Sequence, residues 1–157
     1  MLKFCDYDIV FAEVPDEVSL AISLSRCPMH CDGCHSPQLW DDVGEALTET
    51  RLQQLVDRFR RDITCLCFMG GDADLDELAD RAAFVRRRYP ELKLAWYSGR
   101  PKLPQWPTPL PWNYVKLGPY IAARGPLTHR TTNQRFFRID PHGQQIDLTA
   151  RFFKNAW

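Results

Sequence analysis

Apolar residues recur along this chain in two rhythms, and each rhythm predicts its own elements. Val18, Leu20, Ile22 and Leu24 alternate strictly with small or polar neighbours in VSLAISLS, residues 18–25, which predicts a β-strand. The preceding Tyr7–Pro15 stretch (YDIVFAEVP) alternates more loosely and predicts a strand ending at a turn. A helical rhythm begins at Thr48-Glu49-Thr50-Arg51 and runs to about Arg61, with Leu52, Leu55, Val56 and Phe59 as its apolar stripe and Thr48 or Thr50 as its cap. A second helix spans roughly Leu75 to Tyr89, turns Leu78, Ala82 and Val85 inward, ends on three arginines and stops at Pro90.

Between these helices lie continuous apolar runs, the pattern of strands covered on both faces. ITCLCFMGG (63–71), LKLAWYSG (92–99) and NYVKLGPYI (113–121) are read this way. PKLPQWPTPLPW (101–112) holds five prolines and predicts an extended connector. QRFFRID and QQIDL, joined at Pro141-His142-Gly143, predict a small hairpin. Strands alternating with helices imply an α/β fold with a parallel sheet, whose ligands sit at the C-terminal ends of the strands. The cysteine-rich segment after residue 25, Gly70-Gly71-Asp72 and Ser98-Gly99 all fall at such ends.

Composition narrows the function classes. At 157 residues, 45% hydrophobic and 25% charged, the chain predicts a single globular domain. Its core is expected at about 18–121, with a C-terminal extension over about 122–157. Lys plus Arg equals Asp plus Glu, so no net field recommends nucleic acid or an anionic membrane as partner. No run of about 18 apolar residues is present, and MLKFCDYDIV is not a signal sequence, so a cytoplasmic protein is expected.

Candidate chemistry concentrates in SRCPMHCDGCHSPQLW, residues 25–40, where Cys27, Cys31 and Cys34 follow a C-x3-C-x2-C spacing. Thiolates so spaced hold zinc or an iron–sulfur cluster. For zinc, His30 or His35 would supply the fourth ligand. A cubane held by three thiolates would instead leave one iron open to a substrate. Cys65 and Cys67, alternating within an apolar run, are read as buried free thiols, and Cys5 likewise. His30, His129 and His142 are read as surface residues, and the tryptophans as core or connector anchors. Lys116 could pair with a ligand carboxylate, but as a strand lysine it is read as solvated.

The same spacing, placed after a strand of a parallel α/β domain, resembles the signature of the radical S-adenosylmethionine enzymes. CDGCHSPQLW is similar to the loop of the anaerobic ribonucleotide reductase activating proteins, which are small glycyl-radical activases. FMGGDADL, AWYSG, NYVKLGPYI and TTNQRF resemble later motifs of that family in the same order, over roughly residues 8–140. Leu117 stands where several members carry Asp, Ala73 where Pro is common, and Arg130-Thr131-Thr132 where Gly-Ser-Ser is usual.

That resemblance implies a short, partial (βα) barrel-like parallel sheet with an N-terminal strand and a C-terminal β extension. It implies a 4Fe–4S cluster on Cys27, Cys31 and Cys34, with the open iron chelated by the amino and carboxylate groups of S-adenosylmethionine. Gly33 would let the backbone approach the adenine, with His35 packing beside it. Gly70 and Gly71 would turn carbonyls toward the ligand's ammonium, and Asp72 would add a negative charge there or cap the following helix. Ser98 would bond the ribose or carboxylate. The implied partners are the large glycyl-radical subunit of an anaerobic ribonucleotide reductase and a flavodoxin-type reductant. Another glycyl-radical enzyme, a small-molecule substrate, or a non-catalytic zinc or iron–sulfur module are the alternatives.

Overall fold

The computed structural model describes residues 1–34, 36–106 and 111–153. Its elements are β1 (Lys3–Val10), β2 (Ser19–Leu24), β3 (Glu45–Ala46), α1 (Glu49–Phe59), β4 (Cys65–Met69), α2 (Leu75–Arg88), β5 (Lys93–Tyr97), β6 (Tyr114–Leu117), β7 (Arg135–Ile139) and β8 (Gln145–Asp147). All eight strands join one sheet in the order β3-β1-β2-β4-β5-β6-β7-β8. The four central strands, β2, β4, β5 and β6, pair in parallel. An antiparallel ribbon flanks each side, β1 with β3 and β7 with β8. Among the described residues, no helix is long and apolar enough to cross a membrane.

Local chemistry accounts for the helix ends. Thr48 accepts the Arg51 N–H at 3.0 Å and so caps α1. Asp74 accepts the Glu77 N–H at 3.1 Å and caps α2. The capping role considered for Asp72 therefore belongs to Asp74, two residues on. Leu52, Leu55 and Val56 of α1 and Leu78, Ala82 and Val85 of α2 are buried against one face of the sheet, where Leu20, Ile22, Leu66, Phe68, Leu94, Trp96 and Val115 meet them. Side chains along a strand alternate between faces, so the intervening residues of β4 and β5 look the other way.

That second face carries its own core of Val14, Cys65, Cys67, Ala95 and Phe136, with Met69, Tyr97, Tyr114, Leu148 and Phe152 packed on it. Strict alternation in VSLAISLS suggests a strand with one buried face, yet Ser19 and Ala21 are buried as well. They pair with Cys65 and Cys67 of β4, beneath the same cover. Cys5 is exposed rather than buried. It falls at the register shift between Phe4 and Asp6, where the regular alternation of β1 breaks.

β1 begins at Lys3 rather than Tyr7, because Lys3 and Phe4 pair with Ala46 and Glu45. β6 ends at Leu117 because Gly118 takes φ 109° and the chain turns away. The tail hairpin turns through Asp140–Gln144 around Gly143 at φ 81°. Of the proline-rich connector, 101–106 and 111–112 form neither helix nor strand, and residues 107–110 lie outside the described residues.

Candidate metal centre

Four connections leave the C-terminal ends of the parallel strands, and three are tied to one another there. Asp72, after β4, is buried and accepts Ser98 Oγ at 2.6 Å, Gly99 N at 3.2 Å and Arg100 Nε at 3.2 Å. Its backbone carbonyl accepts Arg100 Nη2 at 3.0 Å. Ser98 donates its N–H to the Lys116 carbonyl at 2.8 Å, and Gly118 donates to the Arg100 carbonyl at 2.6 Å. One carboxylate thus holds the ends of β4 and β5 together, and the backbone extends the tie to β6. A carboxylate so surrounded is compensated charge by charge and donor by donor.

The cysteine loop follows β2. Its base is closed by Arg26 N–H to the Asp41 carbonyl at 3.0 Å and Cys27 N–H to the Leu39 carbonyl at 2.8 Å. Ser25 Oγ donates to the Val43 carbonyl at 2.7 Å, and His30 stacks on Trp40 with ring centroids 4.7 Å apart. Met29 packs over Gly99, where a Cβ would lie 2.4 Å from its Cγ. These contacts seat an irregular loop on the ends of β2 and β5.

Cys27, Cys31 and Cys34 are all half-buried free thiols. Burial pushes the Cys27 thiol up, opposed by hydrogen bonds from the Met29 and His30 backbone. Cys34 Sγ accepts the Ser36 N–H at 3.4 Å. Among the described residues, no three His, Cys, Asp or Glu side chains are already gathered closely enough to hold a metal ion. The chemistry of the donor set nonetheless fits an iron–sulfur group. Three accessible thiols share one loop, and backbone N–H groups already point at two of them. Such N–H···S bonds stabilise thiolates on a cluster. Ligand gathering is itself part of metal binding.

The other residues singled out by sequence fall around this loop. Gly33 takes φ 74° and lies against Tyr120 and Ala122, so the close approach it permits within the chain is to the segment after β6. The Gly70 carbonyl accepts Trp96 Nε1 at 2.7 Å, and the Gly71 carbonyl accepts the Asp74 N–H at 3.3 Å. Ser98 is committed to Asp72 and to the Arg100 N–H at 3.0 Å. His35 lies outside the described residues.

Lys116 overturns its sequence reading. It is 9% exposed, not solvated. Its Nζ donates to the Gly118 carbonyl at 3.0 Å and Gln134 Oε1 at 2.9 Å, and lies 5.6 Å from the Tyr97 ring centroid. Burial pulls it down to about 8, while Asp72, Cys31 and Cys27 act to raise it. Asn133-Gln134 also acquires a physical role. Asn133 Nδ2 donates to the Pro119 carbonyl at 2.9 Å, so this dipeptide brackets the turn that ends β6. The only sequence signal for Lys116 was its place in an otherwise apolar strand, on the same face as Tyr114. Its side-chain acceptor, Gln134, comes from the segment leading into β7 and carries no local pattern.

A cleft of about 1000 Å³ opens elsewhere, at the N-terminal ends of β5 and β6 between Lys93, Trp112, Asn113, Arg138 and His142. It contains no cysteine. Parallel α/β sheets bind ligands at the opposite ends of their strands, so the cysteine loop remains the candidate.

A family model for a 4Fe-4S single cluster domain matches residues 18–101, more than half of the chain. The match runs from β2 through the cysteine loop and the Asp72–Ser98 pair to the end of β5. No curated protein and no solved structure matches the chain.

Proposed function

This chain belongs to the 4Fe-4S single cluster domain family, and from that premise we propose that it is a radical S-adenosylmethionine activase of the glycyl-radical type. The observation that carries the reading is the convergence of the three-cysteine loop, the Asp72–Ser98–Arg100 tie and buried Lys116 at the C-terminal ends of four parallel strands. The eight-stranded sheet, with both helices on one face, is read as the partial barrel of those enzymes.

Cys27, Cys31 and Cys34 would hold the cluster through their three thiolates, which would leave it able to take the amino and carboxylate groups of S-adenosylmethionine. When bound, such a centre would supply the electron for reductive cleavage of the S-adenosylmethionine sulfonium, chemistry that would end in hydrogen-atom abstraction from a glycine of the partner. The chain's own residues bind, orient and exclude water. Gly33 and His35 attend the adenine, and Gly70, Gly71, Asp72 and Ser98 form the wall beside the amino acid moiety. Because Asp72 and Ser98 are already locked to one another, that wall does not reorganise on binding. The connector of residues 101–112 and the segment after Gly118 offer the docking surface for the large anaerobic ribonucleotide reductase subunit. A flavodoxin-type protein supplies the electron in the cytoplasm.

The test is formation of 5′-deoxyadenosine by anaerobically reconstituted, reduced protein, beside a Cys31→Ala control. Product from the unaltered chain alone supports the reading. Four bound irons with no product, even with the reductase subunit added, refute it. A zinc-filled, inert protein returns the cysteines to a structural role.

A further inference from the structure

Lys116 is a full positive charge enclosed by neutral partners. The Gly118 carbonyl, the Gln134 amide oxygen and the Tyr97 ring carry no net charge. Among the described residues, Lys116 makes no ion pair. Asp72, the carboxylate that faces it, is already bridged to Arg100 at 3.2 Å. An ammonium has three N–H donors, and two are spoken for. Burying a cation without an anion is costly, so chains do it where an anion arrives from elsewhere. The cysteine loop lies against the segment that follows β6, at Gly33 with Tyr120 and Ala122, and Cys31 and Cys27 act on Lys116 in the same sense as Asp72.

From this arrangement we propose that Lys116, held in place by Gln134, sets the reduction potential of the iron–sulfur centre on the cysteine loop. The inference rests on the cluster reading of Cys27, Cys31 and Cys34. Reduction adds one electron and so one negative charge to a centre already anionic through its thiolates. No bond forms or breaks in that step. A fixed cation at the same end of the sheet as the cysteine loop stabilises the more negative, reduced state and raises the potential. Gln134 is a positioning residue. It accepts from Nζ without neutralising it, and it comes from β7's leading edge, so the cation is fixed by a neighbouring strand as well as its own. An amide does this where a carboxylate would cancel the charge. Thr132 Oγ1 accepts the Gln134 N–H at 3.0 Å and holds the acceptor's backbone in turn.

The experiment is a redox titration of the reconstituted full chain without S-adenosylmethionine, read by the cluster's visible and electron paramagnetic resonance signals. It is paired with iron and sulfide analysis of each sample. Lys116→Met should lower the midpoint potential, and Gln134→Glu should lower it as well, although the lysine is still present. Lys116→Arg, which keeps the charge, should stay nearer the unaltered protein. Four irons in every sample with unchanged potentials would overturn the inference and leave the cluster reading standing. Unchanged potentials with weakened S-adenosylmethionine binding would overturn it too, assigning Lys116 to that ligand instead. Failure of the unaltered chain to hold a four-iron cluster would overturn the cluster reading, and this inference with it. Should Lys116→Met fail to fold, Gln134→Glu decides alone.

Discussion

Two sets of thiols in this protein have opposite fates. Cys65 and Cys67 sit on β4, fully buried beneath Phe136 and its neighbours. Cys27, Cys31 and Cys34 sit half-buried on an irregular loop at the end of the adjacent strand. Burial pushes Cys65 up to about 12 and Cys67 well above the usual thiol range. Both are protonated spheres of moderate size that fill a core. Two of the loop cysteines, Cys27 and Cys34, receive N–H donors from a backbone that no sheet has claimed. Reactivity therefore follows from the backbone a cysteine is attached to. Strand amides are spent on neighbouring strands, whereas loop amides remain available to sulfur.

The largest effect expected from breaking this contrast is on metal content. Cys27→Ala, Cys31→Ala or Cys34→Ala should each abolish four-iron incorporation while leaving the melting temperature of the metal-free chain nearly unchanged, measured by iron analysis and circular dichroism. The helix-facing side of the same strand should behave in the reverse way. Phe68→Ala, at a fully buried position, should cost about 3–5 kcal/mol in urea unfolding. A result below about 1 kcal/mol would mean that the core relaxes around the gap.

Asp72→Ala tests the tie between the ends of β4 and β5 and should cost about 1–3 kcal/mol, because Ser98, Gly99 and Arg100 lose a buried acceptor. The mildest effect is alkaline. The unfolded Cys65 thiol ionises near 9 while the folded one holds its proton to about 12. The native state then binds more protons than the unfolded one, so this thiol's stabilising contribution is complete below pH 9 and is lost as pH rises toward 12. The slope is about 1.4 kcal/mol per pH unit for one thiol. Cys65→Ala should flatten the stability curve over that window relative to the unaltered protein, and identical curves would remove burial as the cause.

Much of the frame is legible in the order of residues because its causes are local. The 3.6-residue stripe of α1 and α2 names the side chains that the structure buries, with Phe59 at the end of α1 only half-buried. The apolar runs around residues 63–71 and 92–99 become β4 and β5, since each must be covered on both faces. What escapes is set by partners distant in sequence. β3 is two residues long and exists only as a pairing with Lys3 and Phe4. Ser98 reads as a hydroxyl for the ligand, and nothing near it in sequence announces Asp72, which meets it from the end of the neighbouring strand. Lys116 reads as solvent-facing until Gln134 and the Gly118 carbonyl supply its acceptors. Asn133-Gln134, opaque as a dipeptide, makes sense only once β7 lies beside β6.

That last dependence gives the chain a timetable. During synthesis the cysteine loop leaves the ribosome early, and the parallel strands that seat it follow. Gln134 emerges late, and until β7 docks, Lys116 lacks the side-chain acceptor that lets it lie inside the sheet. The nascent site therefore has its thiols long before its cation is anchored. A cluster delivered to the growing chain would meet a solvated, unlocked lysine, whereas one delivered after release meets the finished pocket.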